Sequence, residues 1–250
     1  MKKDVNGIPV IIKEIFILTP FQHILGTLFM NVLNRLKIEG RDIVRNLPGS
    51  NVLFVSNHQT YFMEGIALMT EFDHIRRPFL HWFWKAKTGH CYYIVALETA
   101  QMKGALHRII ELGGAVTISR TWRKGNETID DPSVSIEQVR DDQQKVIDAV
   151  KDGWVLTFPQ GTTIPFSKGR RGTAHIIKKS RCVVVPVIVE GFSEAFHKSK
   201  PCKPLKLGSR LKIRFKQPMD INYDDPEDEI LEQIMDAIEQ TDRFRTPERK

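Results

Sequence analysis

The chain has 250 residues, 41% hydrophobic and 27% charged, a mix that excludes a largely disordered chain and fits one α/β domain or two small ones. Its 37 Lys and Arg against 30 Asp and Glu leave a net charge of +7, which favours an anionic partner: nucleic acid, a membrane surface, a phosphorylated substrate or an acidic protein. Cys91, Cys182 and Cys202 have no CxxC spacing, which excludes a disulfide scaffold and a Cys-rich zinc site and agrees with a reducing compartment.

Met1 to Gly7 leads into no apolar core of a secretory signal. Residues 10–18 are apolar apart from Lys13 and Glu14, and Pro20 then breaks the run. After it Phe21, Ile24, Leu25, Leu28, Phe29, Val32, Leu33 and Leu36 recur at helical spacing. A membrane span needs about 18 or more apolar residues in sequence, and Pro20, Gln22, His23, Asn31 and Asn34 interrupt this one. The pattern predicts an N-terminal pair of apolar helices, lying in a membrane interface or packed on the domain. Residues 1–40 are assigned to this membrane-interfacial segment, 41–241 to an α/β domain and 242–250 to a charged, frayed tail.

Further along, strands are expected over 52–55, 92–97, 115–118, 155–158, 182–189 and 211–215. Helices are expected over 60–70, 102–112 and 173–180, from Pro226 onward, and in a stretch ending near Asp152-Gly153. Residues 121–133 read as a polar connection, and the aromatic run Phe79 to Trp84 as a buried strand. Alternating strands and helices predict a single α/β domain, its sheet mixed but mostly parallel and flanked by helices.

Three stretches have the residue types that chemistry needs. Ser56-Asn57-His58 follows an apolar strand, the usual place for a site in α/β folds. A His there can take a proton from a hydroxyl if a carboxylate holds its other ring nitrogen, and Glu64 is the nearest in sequence. Next, Phe158-Pro159-Gln160-Gly161-Thr162-Thr163 is followed by Lys168, Arg170 and Arg171 just before a predicted helix, a combination suited to a phosphate. It lacks the spacing of a P-loop. Lastly, Arg120 stands just past a predicted strand end, where a guanidinium can grip an anion with two hydrogen bonds.

In order and spacing, these blocks resemble the glycerolipid acyltransferase family, which includes lysophosphatidic acid (1-acylglycerol-3-phosphate) acyltransferases. That family's pattern is His-x4-Asp, then a Gly-x-x-Phe-x-x-Arg-like block, then Phe-Pro-Glu-Gly-Thr-Arg-Ser, then an apolar block with Pro. Here Asn57-His58, Gly114 to Arg120, Phe158 to Thr162 and Val185-Pro186-Val187 stand in that order, a resemblance spanning residues 50–220. Three positions depart from it. Met63 occupies the Asp position with Glu64 one later, Gln160 replaces Glu, and Thr163 replaces Arg.

The resemblance implies an O-acyltransferase that moves a fatty acyl group from a thioester to the hydroxyl of a lysophospholipid-type acceptor. His58 would be the general base, oriented by Glu64, and Arg120, Gln160, Gly161, Thr162, Lys168, Arg170 and Arg171 would bind the acceptor. It implies no metal and no cofactor apart from acyl-CoA or acyl carrier protein as donor substrate. The partners would be that donor, the lysolipid and a membrane surface, with no nucleic acid, and the protein would sit on the cytoplasmic face of a membrane, peripheral or monotopic. The departures leave open a non-phosphate, amino-acid-based lysolipid as acceptor, or a catalytically degenerate lipid-binding protein on the same fold. A serine hydrolase built on Gly191-Phe192-Ser193 is disfavoured, because Ala195 stands at the fifth position of the elbow and His197, only four residues past Ser193, comes too early.

Overall fold

A computed structural model of the chain describes residues 4–5, 7, 26–76, 90–96, 113–119, 122–124, 127–129, 135–198, 200 and 203–245. A π-helical turn, Thr27–Val32, leads into strand β1, Arg35–Glu39, and the short helix α1, Arg41–Arg45. Strand β2, Val52–Ser56, precedes helix α2, Met63–Arg76. Strands β3, His90–Ala96, and β4, Ala115–Ile118, come next, followed by the short strands β5, Trp122–Lys124, and β6, Glu127–Ile129. Helix α3, Ile136–Asp152, runs directly into strand β7, Gly153–Thr157. Helix α4, Arg171–Ser180, leads to strand β8, Val183–Glu190, and the short helix α5, Phe192–Ala195. Strand β9, Arg210–Phe215, and helix α6, Glu227–Ala237, close the domain.

Seven strands form one sheet in the order β1-β9-β8-β2-β7-β3-β4, and β5 and β6 form a separate antiparallel ribbon. Every neighbouring pair in the large sheet is parallel except β8 with β9. One edge of the sheet therefore gathers the C-terminal ends of β8, β2, β7, β3 and β4. Because β9 and β1 run the opposite way, their N-terminal ends lie at that edge too.

Strand side chains alternate between the two faces of the sheet. Val52, Phe54, Trp154, Leu156, Val185 and Val187 point into one core, covered by α2 through Met63, Leu68 and Phe72. There the Phe54 ring lies 4.3 Å from Phe72 and 5.3 Å from Trp154, in the tilted and edge-on arrangements that aromatic quadrupoles favour. Leu53, Val55, Val155 and Val184 point into the other core, covered by α3, α4 and α6. With both faces covered, β2, β7 and β8 are almost wholly buried, which is why they read as unbroken apolar runs.

Three expectations change. Residues 35–39, expected within the N-terminal helical segment, are strand β1, paired in register from Arg35↔Arg210 to Glu39↔Arg214. Leu33 and Leu36 fit a helical stripe, but Leu36 and Ile38 also alternate with Arg35, Lys37 and Glu39, and pairing with β9 selects that two-residue period. Asn34 makes the switch: its amide nitrogen donates to the Phe29 carbonyl (2.7 Å) and its amide oxygen accepts from the Ser209 N–H (3.1 Å). The polar connection holds the β5–β6 ribbon. The start of the tail is docked: Arg243 pairs with Asp236, and the Arg245 guanidinium lies 5.4 Å from the Phe166 ring centre. The apolar stretch 10–18, the predicted helix 102–112 and the aromatic run 79–84 lie outside the described residues. Among the described residues no helix is long and apolar enough to cross a membrane.

Candidate active site

The loop after β2 is clamped on both sides. Asn57 extends the pairing of β2 with β8 through its side chain, donating to the Val189 carbonyl (3.0 Å) and accepting from the Val189 N–H (2.8 Å). The Gln59 amide oxygen accepts from the Phe192 N–H (2.9 Å) at the start of α5. Between these two anchors stands His58, its side chain 16% exposed at the C-terminal edge of the sheet.

Glu64 lies in the first turn of α2 and is fully buried. Its Oε1 accepts from the Gln59 N–H (2.7 Å) and the Thr60 N–H (2.8 Å) and lies 2.6 Å from His58 Nδ1, while Oε2 accepts from the Thr60 hydroxyl. Thr60 in turn accepts from the Met63 N–H (3.0 Å) and so caps the helix. Burial alone would push the Glu64 carboxyl up, but the charge and hydrogen bond of His58 and the two bonds from Thr60 outweigh it and hold the group below its ordinary value. Glu64 is thus a carboxylate, an acceptor only, so the proton between the pair belongs to His58 Nδ1. The lone pair of the neutral imidazole is then on Nε2, which no described residue hydrogen-bonds. Met63, in the family's Asp position, is packed into the core instead. The longer Glu, one residue on, delivers the carboxylate.

Strand β7 lies beside β2, so the second block meets the first: the Phe158 ring stacks on His58 at 4.3 Å and 22°. Beyond it the chain makes a tight turn in which Gly161 N–H donates to the Phe158 carbonyl and Arg170 N–H to the Pro159 carbonyl, both at 2.9 Å. Gly161 has φ +62°, and a Cβ there would sit 2.7 Å from Arg170 Nε, so the Arg170 side chain rests against a face that only glycine leaves open. Thr162 Oγ1 accepts from the Ile164 N–H (3.3 Å), and Lys168 is exposed. Arg171 is directed to α6, where it makes two bonds to the Asp228 carboxylate at 2.7 and 2.6 Å.

Gln160 is 1% exposed, and its amide nitrogen donates to the Ser167 carbonyl and the Gln240 amide oxygen, each at 3.1 Å. That same Gln240 oxygen accepts from the Phe166 N–H (3.0 Å), tying the turn to the end of α6. Gln160→Glu would set a carboxylate against two acceptors. It is expected to lower stability by about 1–3 kcal/mol, visible as a lower urea midpoint with unchanged slope.

Arg120 lies outside the described residues. The β4 end before it is tied to α3, Ser119 N–H donating to Asp142 Oδ2 (2.7 Å), two strands away from β7. Other His–carboxylate pairs among the described residues show that the pairing alone marks nothing. His175 Nδ1 lies 2.9 Å from Glu227 on the flank of α4, and His90 pairs with Asp152 at the opposite end of the sheet, where the Tyr92 hydroxyl joins them. Ser193 and His197 form no nucleophilic pair, since His197 Nδ1 accepts from the Lys200 N–H (3.1 Å). Among the described residues no three His, Cys, Asp or Glu side chains gather as a metal site requires.

Residues 35–190, from β1 to the end of β8, match a family model described as Acyltransferase. Among solved structures, the chain is similar to the 1-acyl-sn-glycerophosphate (LPA) acyltransferase PlsC from Thermotoga maritima. The TM-score is 0.59 at 17% identity, over 88% of this chain and 75% of that one. No curated protein matches the sequence.

Proposed function

The chain belongs to the acyltransferase family, and on that premise we propose that it moves a fatty acyl group from a thioester of coenzyme A or acyl carrier protein to the hydroxyl of a lysophospholipid-type acceptor. One observation carries this reading: His58, its Nδ1 held 2.6 Å from a buried carboxylate, stands partly exposed at the sheet edge, stacked on the Phe158 that opens the turn leading to Lys168 and Arg170. Nε2 takes the proton of the acceptor hydroxyl as that oxygen bonds to the thioester carbonyl carbon. The carbon–sulfur bond breaks, and the departing thiolate takes the proton back from the imidazolium, leaving an ester, a free thiol and neutral His58. Glu64 stabilises the imidazolium between the two transfers. General-base catalysis of this kind contributes roughly 10²- to 10⁴-fold, and holding both substrates in register contributes comparably or more.

The acceptor head group is assigned to Lys168, Arg170 and the backbone of Gly161 and Thr162, with Arg120 as a further cation. Arg171 stabilises the start of α4 through Asp228, and Gln160 shapes the turn from behind. No metal or cofactor takes part in this scheme. The protein works at the cytoplasmic face of a membrane, with lipid reached through the N-terminal apolar segment.

The test is a thiol-release assay that crosses acyl-CoA and acyl-carrier donors with a panel of lysolipids, phosphate-bearing and amino-acid-based. The expected result is thiol release that depends on a lysolipid, with a new ester formed. Release without ester, or none with any acceptor, would refute acyl transfer. In the same assay Arg170→Ala should raise the acceptor KM roughly ten- to a hundred-fold, as for a lost charge-assisted hydrogen bond, and leave the donor KM unchanged.

A further inference from the structure

Six large hydrophobic side chains are exposed among the described residues: Leu28 (41%), Val32 (69%), Ile136 (74%), Ile164 (66%), Leu205 (55%) and Leu207 (58%). Single exposed leucines are ordinary, but these six share one end of the molecule. Leu28 and Val32 precede the N-terminus of β1, and Leu205 and Leu207 precede that of β9, both at the His58 edge. Ile164 follows the C-terminal end of β7, and Ile136 opens the helix that runs back to the start of β7.

Four of the six form one braced patch. Leu205 N–H donates to the Ala195 carbonyl (2.8 Å), Gly208 N–H to the Leu33 carbonyl (2.8 Å) and Ser209 N–H to Asn34 Oδ1 (3.1 Å), which fastens the 203–209 loop to the π-turn. Beneath them Phe29 and Phe196 pack edge to face at 6.2 Å. The leucines are therefore presented outward by a backbone that is tied down.

Charge runs the same way along the molecule. Residues 195–210 hold five cations, Lys198, Lys200, Lys203, Lys206 and Arg210, and no carboxylate. Residues 217–225, at the opposite end of the sheet, hold three carboxylates and no cation, one of them, Asp224, paired with Arg181 just before β8.

We infer that the 203–209 loop is a membrane contact of its own, in which Leu205 and Leu207 enter an anionic bilayer while Lys203 and Lys206 meet its head groups. Apolar side chains interleaved with lysines suit a charged interface, since the lysine stems lie along the acyl boundary and their ammonium groups stay in water. A bilayer fits better than an acidic protein, because the apolar residues extend past the basic loop to Ile164 and Ile136. On the acyl-transfer reading, a lysolipid keeps its chain in the membrane while its hydroxyl reaches Nε2. The lipid contact itself does not depend on that reading.

The test is hydrogen exchange of the full chain with vesicles of phosphatidylcholine alone and with added phosphatidylglycerol. Anionic vesicles should slow exchange several-fold in 203–209 and 27–32, reversibly with salt, while 46–51 and 217–225 at the far end stay unchanged. Leu205→Ser with Leu207→Ser should weaken vesicle partitioning roughly ten-fold at an unchanged melting temperature. Co-sedimentation without protection of 203–209 would overturn the proposal, and so would protection that needs only higher protein concentration or an acidic carrier protein. Binding is read without turnover, so an inactive enzyme that still protects this loop would refute acyl transfer alone.

Discussion

His58→Ala is expected to lower turnover by about 10²- to 10⁴-fold while leaving the fold and lysolipid binding intact. The imidazole is a surface-edge group, stacked on Phe158 and bonded to Glu64, and the core extends beneath it without its help. With the ring gone, Glu64 still accepts from the N–H groups of Gln59 and Thr60 and from the Thr60 hydroxyl, so the buried charge keeps three of its four donors. The loss of stability should therefore be small, about 1 kcal/mol for one hydrogen bond. Thiol release, thermal unfolding and equilibrium binding of a lysolipid, measured on the same preparation, separate the outcomes. Turnover equal to that of the unchanged protein would remove His58 as the base. Unfolding of the variant would instead make His58 a structural residue.

The parts of this fold that were legible are those where burial on both faces leaves a plain chemical record. The apolar runs at 52–55 and 182–189 predict β2 and β8 to within a residue or so, because a central strand has no solvent-facing side to alternate. The edge strand β1 keeps no such record. In β1 a leucine spacing that satisfies two periods at once is decided only by β9, which lies 175 residues further on. The β5–β6 ribbon is three residues a side and polar, too short for a period to show. At the site, His58 and Glu64 are six residues apart, near enough for spacing to suggest the pair. Sequence alone could not rank that pair above His90 with Asp152 or His175 with Glu227, since what distinguishes it is its place at the C-terminal edge. The stack on Phe158 follows from β2 lying between β7 and β8, and the hold of Gln240 on Gln160 bridges 80 residues. Neither leaves a local signal. Gln160 reads in sequence as an acceptor-binding residue where the family has Glu, yet its amide nitrogen suits the two acceptors around it as no carboxylate would.

Glu64→Gln is expected to reduce kcat by about a hundred-fold or more with little change in acceptor KM, because Glu64 touches the base and not the substrate. The amide oxygen can still accept from the N–H groups of Gln59 and Thr60, and the amide nitrogen can turn to the Thr60 hydroxyl, so the loop keeps its shape. What disappears is the negative charge facing Nδ1, and with it the stabilisation of the imidazolium that forms as the acceptor loses its proton. Stability should fall by about 1–3 kcal/mol at neutral pH, where the native carboxylate holds charge-assisted bonds that an amide cannot match. The direction with pH follows from the lowered carboxyl of Glu64. A group held below its unfolded value stabilises the fold fully above that unfolded value and loses the contribution as pH falls through the folded one. The gap between the unchanged protein and Glu64→Gln is therefore widest near neutrality and closes on acidification below the ordinary carboxylate range. Urea unfolding of the two proteins at neutral and acidic pH measures it directly. A gap that stayed constant across that range would mean the Glu64 charge contributes nothing to folding, and an unchanged kcat would mean that His58 needs no anion behind it.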